Sequence, residues 1–251
     1  MKFKSLDKRM RALEIFHCLK APPESWLILR IVGRSFSKMT EDRFEKPFDL
    51  TFHDHMVETA RALLVEFQGR YGYTESDEIS ILLPPTWDLF DREVEKIVSV
   101  SASIAGATFS LRIQEPVQFD SRIWVGPGEE VLVDYFRWRQ ADASRCALNG
   151  WTYWALRKSG IEARSATERM EGMSVGDKNE LLFQLGINFN DVPQWQRRGT
   201  GLFFETHEKE GMDPRSGRTT VTTRRRVHVD EELPMKDGYG EYLEALIRKG
   251  R

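Results

Sequence analysis

The sequence predicts an α+β protein. Its first half follows a ferredoxin-like β-α-β-β-α-β order, and its second half is a helical and small-sheet region. Three observations carry this. Short apolar runs ending in turn residues alternate with stretches whose apolar side chains recur every three or four positions. Two β-prone runs flank the polar triplet "ESD", as in a hairpin. Beyond residue 130 the pattern changes to one long Trp-rich helix, short helices and two further strands, which sets boundaries of 1–130 and 131–251.

Each element has its own signal. Residues 1–20 carry a mixed, charged helical pattern with Met10, Leu13, Ile15 and Phe16 apolar, broken by "APPES". Leu27 to Val32 is a mostly apolar run stopped by Gly33, hence a buried strand and a turn. Phe52, Met56, Ala60, Leu63, Leu64 and Phe67 form one face of a helix. "RYGYTESDEISILLP" reads as a hairpin with Ser76 and Asp77 at its tip. A second helix runs from about Asp91 to Ala107, with strands at Leu111–Ile113 and Ile123–Val125. Asp134 to Lys158 is the long helix, and the spacing of Trp151 and Trp154 places them, with Trp138, in the core. "GTGLFFE" and "TTVTTRRRV" are strands of the small sheet.

Composition narrows the function classes. With 251 residues, 40% apolar and 30% charged, the chain can bury a sizeable core. A formal net charge of −2 argues against a protein that is basic all over. One segment departs from this: Trp195 to Arg226 holds eight Lys or Arg against four Asp or Glu. Cys18 and Cys146 are the only cysteines, so no disulfide framework and no CxxC metal knuckle is expected, which suits a reducing cytoplasm. The N-terminus "MKFKSLDKRMRALE" has no apolar h-region, and no membrane span is read.

In a β-α-β-β-α-β sheet the end of the first strand lies beside the hairpin between the second and third. Phosphate-transfer chemistry needs divalent metals on carboxylates at such a place. "SDE" (Ser76, Asp77, Glu78) supplies one carboxylate-rich turn, and the N–H groups after Gly33 supply a cradle for phosphates. Lys46 and Lys96 are candidate phosphate partners. Singly, each of these features is ordinary: a turn, a solvated acid, a surface lysine, an Arg-rich edge strand.

The order of the pieces is what is specific. "LRIVGRSFSKMT", "FEKPFDLTF", "ESDEISILLP", "FDREVEKIVS", "FDSRI", "DYFRWRQADASRCALNGWTYWALRKSG", "GDKNELLF" and "INFNDVPQWQRRGT" follow one another between residues 29 and 200, within a patterned stretch of about 5–204. In this order they resemble the tRNA(His) guanylyltransferase family, especially its guanylyltransferase-like branch. The resemblance implies a polymerase- and cyclase-like palm at 1–130 that adds nucleotides to tRNA or similar RNA 5′ ends in the 3′-5′ direction, template-directed and in tRNA repair. It implies Mg²⁺, GTP, ATP and other triphosphates as partners in the reaction, and a homotetramer.

Residue by residue, it makes Asp77 the catalytic metal carboxylate, beside Ser76, with the Gly33 carbonyl as a second metal ligand. Val32, Gly33, Arg34, Ser35, Phe36 and Ser37 would line the nucleotide, and Lys46 and Lys96 would face its phosphates. Arg139, Lys178 and Asn179 would form a second nucleotide or RNA 5′-end site. The basic segment makes Arg197, Arg198, Arg224, Arg225 and Arg226 candidates for RNA contact.

Three departures bear on the chemistry. The family's Asp-Gly-Arg is here Val32-Gly33-Arg34, so one metal carboxylate is missing. Its "FGRR" is here "FDRE", which brings in Asp91 and Glu93. Its eukaryotic "HINN" is "SRCA" at Ser144–Ala147, as in the like-protein branch, which argues against strict histidine-tRNA specificity. The alternative reading is a nucleotide- or RNA-binding relative that has lost its metal site.

Overall fold

The computed structural model describes residues 3–212 and 219–248. Six strands form one antiparallel sheet: β1 (Trp26–Gly33), β2 (Tyr71–Glu75), β3 (Glu78–Leu83), β4 (Phe119–Gly126), β5 (Thr200–Met212) and β6 (Thr219–Asp230), in the order β4-β1-β3-β2-β5-β6. The first four strands, with the helices between them, have the ferredoxin-like arrangement. The helices are α1 (Phe3–Arg11), α2 (Phe36–Glu41), α3 (Leu50–Glu66), α4 (Val94–Ile113), α5 (Glu129–Lys158), α6 (Ala163–Met170), α7 (Val175–Gln184), α8 (Gln194–Arg198) and α9 (Asp237–Arg248).

At its centre, around β1, β2 and β3, the sheet is covered on both faces, which explains the continuous apolar run of β1. Leu27, Leu29 and Ile31 point into a core with Met56, Ala60, Leu63 and Leu64 of α3 and Ile97 and Phe109 of α4. Trp26 and Ile28 point the other way, against Leu132, Tyr135 and Phe136 of α5 and Tyr239 and Leu243 of α9. Alternation then assigns Arg30 and Val32 to this second face. There the apolar core gives way to charge.

Several elements differ from the sequence reading. The segment Leu111–Ile113 is the last turn of α4, because the stripe Ile97, Ser101, Ala105 and Phe109 continues past residue 107 and the helix ends only at Gln114, in the left-handed region. "FDRE" precedes the helix as a tight 3-10 turn with Phe90, Asp91 and Arg92 all at positive φ. The strands placed in a small sheet of their own pair with each other and continue the main sheet, β5 lying beside β2. Trp138 is not in the core: it is 54% exposed, its ring lying under the Arg139 and Arg30 guanidinium groups at 4.6 and 5.7 Å. Trp151 and Trp154 are half-buried. Among the described residues α4 alone is long and apolar enough to cross a membrane, but its inner face packs into the palm core.

Candidate active site

The end of β1 and the β2–β3 turn are joined directly, the Gly33 amide donating to the Asp77 carbonyl at 2.9 Å. Ser35 and Ser76 both adopt the left-handed region. Gly33 has a packing reason to be glycine. A Cβ there would sit 2.4 Å from the Phe36 ring, which is itself wedged against Phe52, Phe109 and Phe119. The residues after Gly33 divide between two hollows. Arg34 and Ser35 line a shallow one of about 460 Å³, Ser37 lines a deeper one of about 420 Å³, and Phe36 borders both.

The deeper cavity is the best candidate for a nucleotide. The loop after α2, the hairpin tip and α5 enclose it. Ser37, Lys46, Ser76 and Asp77 supply its polar side. Its aromatic wall includes Phe44, Phe48, Tyr153, Trp154 and Trp195. His53 stacks on Trp195 at 4.1 Å and hydrogen-bonds Glu231 at 3.0 Å. Burial is the main influence on His53 and holds its pKa below the usual imidazole value, against the pull of Glu231. Burial also lowers Lys46, partly offset by Glu41 and Asp49, and its ammonium donates to Thr40 Oγ1 at 2.7 Å. The half-buried Asp77 carboxyl is raised, chiefly by burial; hydrogen bonds from its own amide and from Ser76 pull it back.

Behind the tip lies a buried charge network. Glu75 and Glu78, register partners that flank Ser76 and Asp77, both meet Arg139 of α5. Arg30 adds two bonds to Glu78, at 2.8 and 2.7 Å. Burial pushes Glu75 up to about 8, against the favourable charge of Arg139.

Val32 sits in the middle of this face. Its register partners are Glu78 on β3 and Asp120 on β4. Opposed residues of antiparallel strands point to the same side of the sheet, so both carboxylates flank the valine. Glu78 is occupied by the two arginines, and Asp120 accepts from Arg122 at 2.6 Å. Position 32 therefore offers no side-chain ligand, and the oxygen atoms nearest the turn belong to the Asp77 carboxylate and the β1 main chain.

The other candidates are spread out. Lys96 is held by Glu93 at 2.8 Å and does not line the deep cavity, so the acid in "FDRE" occupies the ammonium. Asp91 pairs with Lys20. Lys178 and Asn179 line a third cavity, of about 710 Å³, on the opposite side of α5 with Arg137, Arg145 and Lys236. Arg139 does not join them: it is 4% exposed and faces the hairpin.

Arg197 and Arg198 brace main-chain carbonyls, the first at Val192 and Asn190, the second at Leu233. Those bonds give them a structural role that their sequence does not reveal. Arg224, Arg225 and Arg226 are exposed on β6, where Arg226 pairs with Glu205 and Arg225 lies 3.6 Å over the Phe204 ring. The cavity wall from His53, Trp154 and Trp195 is not legible as a site in the sequence, because its members come from three distant segments and only Trp195 lies beside the basic stretch.

The tRNA(His) guanylyltransferase family model matches residues 7–127, and the model of that family's C-terminal domain matches residues 130–236. The chain belongs to the tRNA(His) guanylyltransferase family. It is 32% identical to the tRNA(His) guanylyltransferase of Debaryomyces hansenii, over 83% of this chain and 86% of that one. It is 30% identical to the probable tRNA(His) guanylyltransferase of Mus musculus, over 74% and 67%. Among solved structures, a bacterial tRNA(His) guanylyltransferase-like protein in complex with GTP superposes with a TM-score of 0.74 at 30% identity, covering 97% of this chain and 99% of that one. The ATP complex of a bacterial guanylyltransferase-like protein gives 0.75 at 29% identity, covering 96% and 99%. Family membership makes this chain a nucleotidyltransferase, with the palm fold of its relatives.

Proposed function

We propose that this protein adds nucleotides to the 5′ end of tRNA or tRNA-like RNA in the 3′-5′ direction, as a template-directed repair or editing enzyme. The observation that carries the reading is the 420 Å³ cavity that opens on Asp77, in a family whose bacterial relatives have been seen with GTP and ATP. A triphosphate fits with its base against the Trp154 and Trp195 wall and its phosphates toward Ser37, Lys46 and Ser76. Asp77 and the Gly33 carbonyl would hold magnesium, which when bound neutralises charge developing on the phosphates. Lys178 and Asn179, with Arg137 and Arg145 beside them, offer a basic surface for the RNA end. Arg224 to Arg226 offer a second, along the sheet edge. Both cysteines are free, in keeping with a cytoplasmic, reducing setting. Assembly as a homotetramer is part of the same reading.

The decisive experiment incubates the chain with labelled GTP, Mg²⁺ and a tRNA lacking its 5′ nucleotide. Product is expected with the native chain and not with Asp77→Ala. Surviving activity in Asp77→Ala would place the metal site elsewhere. No product from the native chain, with tight GTP binding, would make it a binding relative.

A further inference from the structure

We infer that Arg139 is a positioning residue that sets the β2–β3 turn, and with it the carboxylate of Asp77. The inference rests on the reading of Asp77 as the active-site carboxylate.

The main chain of the β2–β3 turn is held by the Gly33 amide, which donates to the Asp77 carbonyl, and by Thr74 Oγ1, which donates to the Glu78 carbonyl. The acidic side chains of this turn need a further partner. The residues on either side of it, Glu75 and Glu78, are opposed acids whose side chains are 9% and 7% exposed. Without a donor between them their buried oxygens would lack partners and the turn would splay. Arg139 spans both. Its Nε donates to Glu78 Oε1 at 2.5 Å, and its Nη2 donates to Glu78 Oε2 at 3.0 Å and to Glu75 Oε1 at 2.8 Å. The same Nη2 reaches Asp142 one turn further along α5, at 3.1 Å. Trp138 covers the guanidinium from the exposed side. From β1, Arg30 donates twice to Glu78 Oε2, which it shares with Arg139 Nη2.

Both legs of the turn are thus tied to α5 and one of them also to β1. Asp77, two residues from Glu75 and one from Glu78, has little freedom left. Only a planar fork can make this set of bonds, because a lysine ammonium is a single point that cannot lie flat between two carboxylates. The arrangement also explains why a residue suited by charge to phosphate contact lies buried and away from Lys178 and Asn179.

The test compares Arg139→Lys with the native chain and with Asp77→Ala. Turnover is measured on the truncated tRNA over a range of Mg²⁺ and GTP concentrations. GTP affinity is read separately from quenching of tryptophan emission. Arg139→Lys should lower kcat by roughly 100-fold, the scale on which a small misplacement acts. GTP affinity should stay within about threefold, because Arg139 does not line the cavity. The Mg²⁺ concentration for half-maximal rate should rise, which a loss of overall stability alone would not produce.

Unchanged kcat in Arg139→Lys would overturn the inference. So would a parallel loss of kcat and GTP affinity, which would make Arg139 a nucleotide contact. If Arg139→Lys does not fold, Glu78→Gln loosens the same clamp from the other side. It should show the same split between kcat and GTP affinity, and unchanged kcat there would overturn the inference equally. If Asp77→Ala keeps full activity, the active-site reading itself fails, whatever Arg139 does.

Discussion

Val32 and Asp120 stand directly opposite each other on β1 and β4 and project from the same face of the sheet, next to Glu78. The valine therefore keeps two carboxylates apart at a place where the family pattern has a third. Val32→Asp should lower stability in metal-free buffer by up to about 1 kcal/mol, the scale of like charges set opposite each other in a sheet. Added Mg²⁺ should restore it. Turnover should rise, by as much as a thousandfold if metal activation of the attacking group is worth about 4 kcal/mol. Thermal melts with and without Mg²⁺, alongside the labelled-GTP assay, check both parts. A variant that neither loses stability nor gains turnover would mean that position 32 does not face the metal.

Gly33 needs to be small because of Phe36. Gly33→Ala should cost about 1–3 kcal/mol, the usual range for forcing an extra methyl into a packed core. The Phe36 ring, 3% exposed, has three aromatic neighbours and nowhere to move. The cost should shrink in a Phe36→Ala background, and a double-mutant cycle by urea unfolding measures that coupling. Additive effects would assign the glycine to close approach of a ligand instead.

On β6, replacing Arg224, Arg225 and Arg226 by glutamine should weaken tRNA binding and flatten its salt dependence. Each lost phosphate contact lowers the log–log slope by roughly 0.9 on a duplex. Affinity measured from low to moderate salt shows whether the slope changes. An unchanged slope would leave Arg225 and Arg226 as the partners of Phe204 and Glu205 and no more.

His53 predicts a pH effect of definite sign. Its folded pKa lies below the ordinary value, with burial the main cause, so the fold favours the neutral ring. Its contribution to stability is fully present above about pH 6.5 and is lost as pH falls through the lower folded value. His55 shifts in the same direction, through burial and then Arg112. The melting temperature should drop on acidification, with a change in tryptophan emission as His53 charges against Trp195. His53→Gln should remove part of the drop. A rise in stability on acidification would mean that Glu231 outweighs burial.

Much of the fold can be read from local pattern. The β1 run ended by Gly33, the α3 stripe from Phe52 to Phe67 and the turn at Ser76 and Asp77 are all signals within a few residues of one another. The parts that resist reading are those where distant segments meet. Nothing near Thr200 says that β5 will pair with β2, more than a hundred residues earlier. Arg139, Arg197 and Arg198 look like surface cations because a helix pattern gives charge without showing its partners. The partners of Arg139 lie on β2 and β3, and those of Arg197 and Arg198 are carbonyl oxygens, which leave no mark in a sequence. Lys96 reads as a free ammonium until the position of Glu93 is known.

Because β5 joins the palm at β2, the molecule carries a built-in ruler. Thr200 lies opposite Thr74, beside the turn of Asp77, and Thr206 lies opposite Arg225 on β6. Six residues of extended strand separate Thr200 from Thr206, a span of about 20 Å. Strand pairing fixes that interval without a hinge. If RNA is gripped at Arg225, this interval sets how far the cavity lies from the grip, and the length and shape of the RNA then enter substrate choice alongside its sequence.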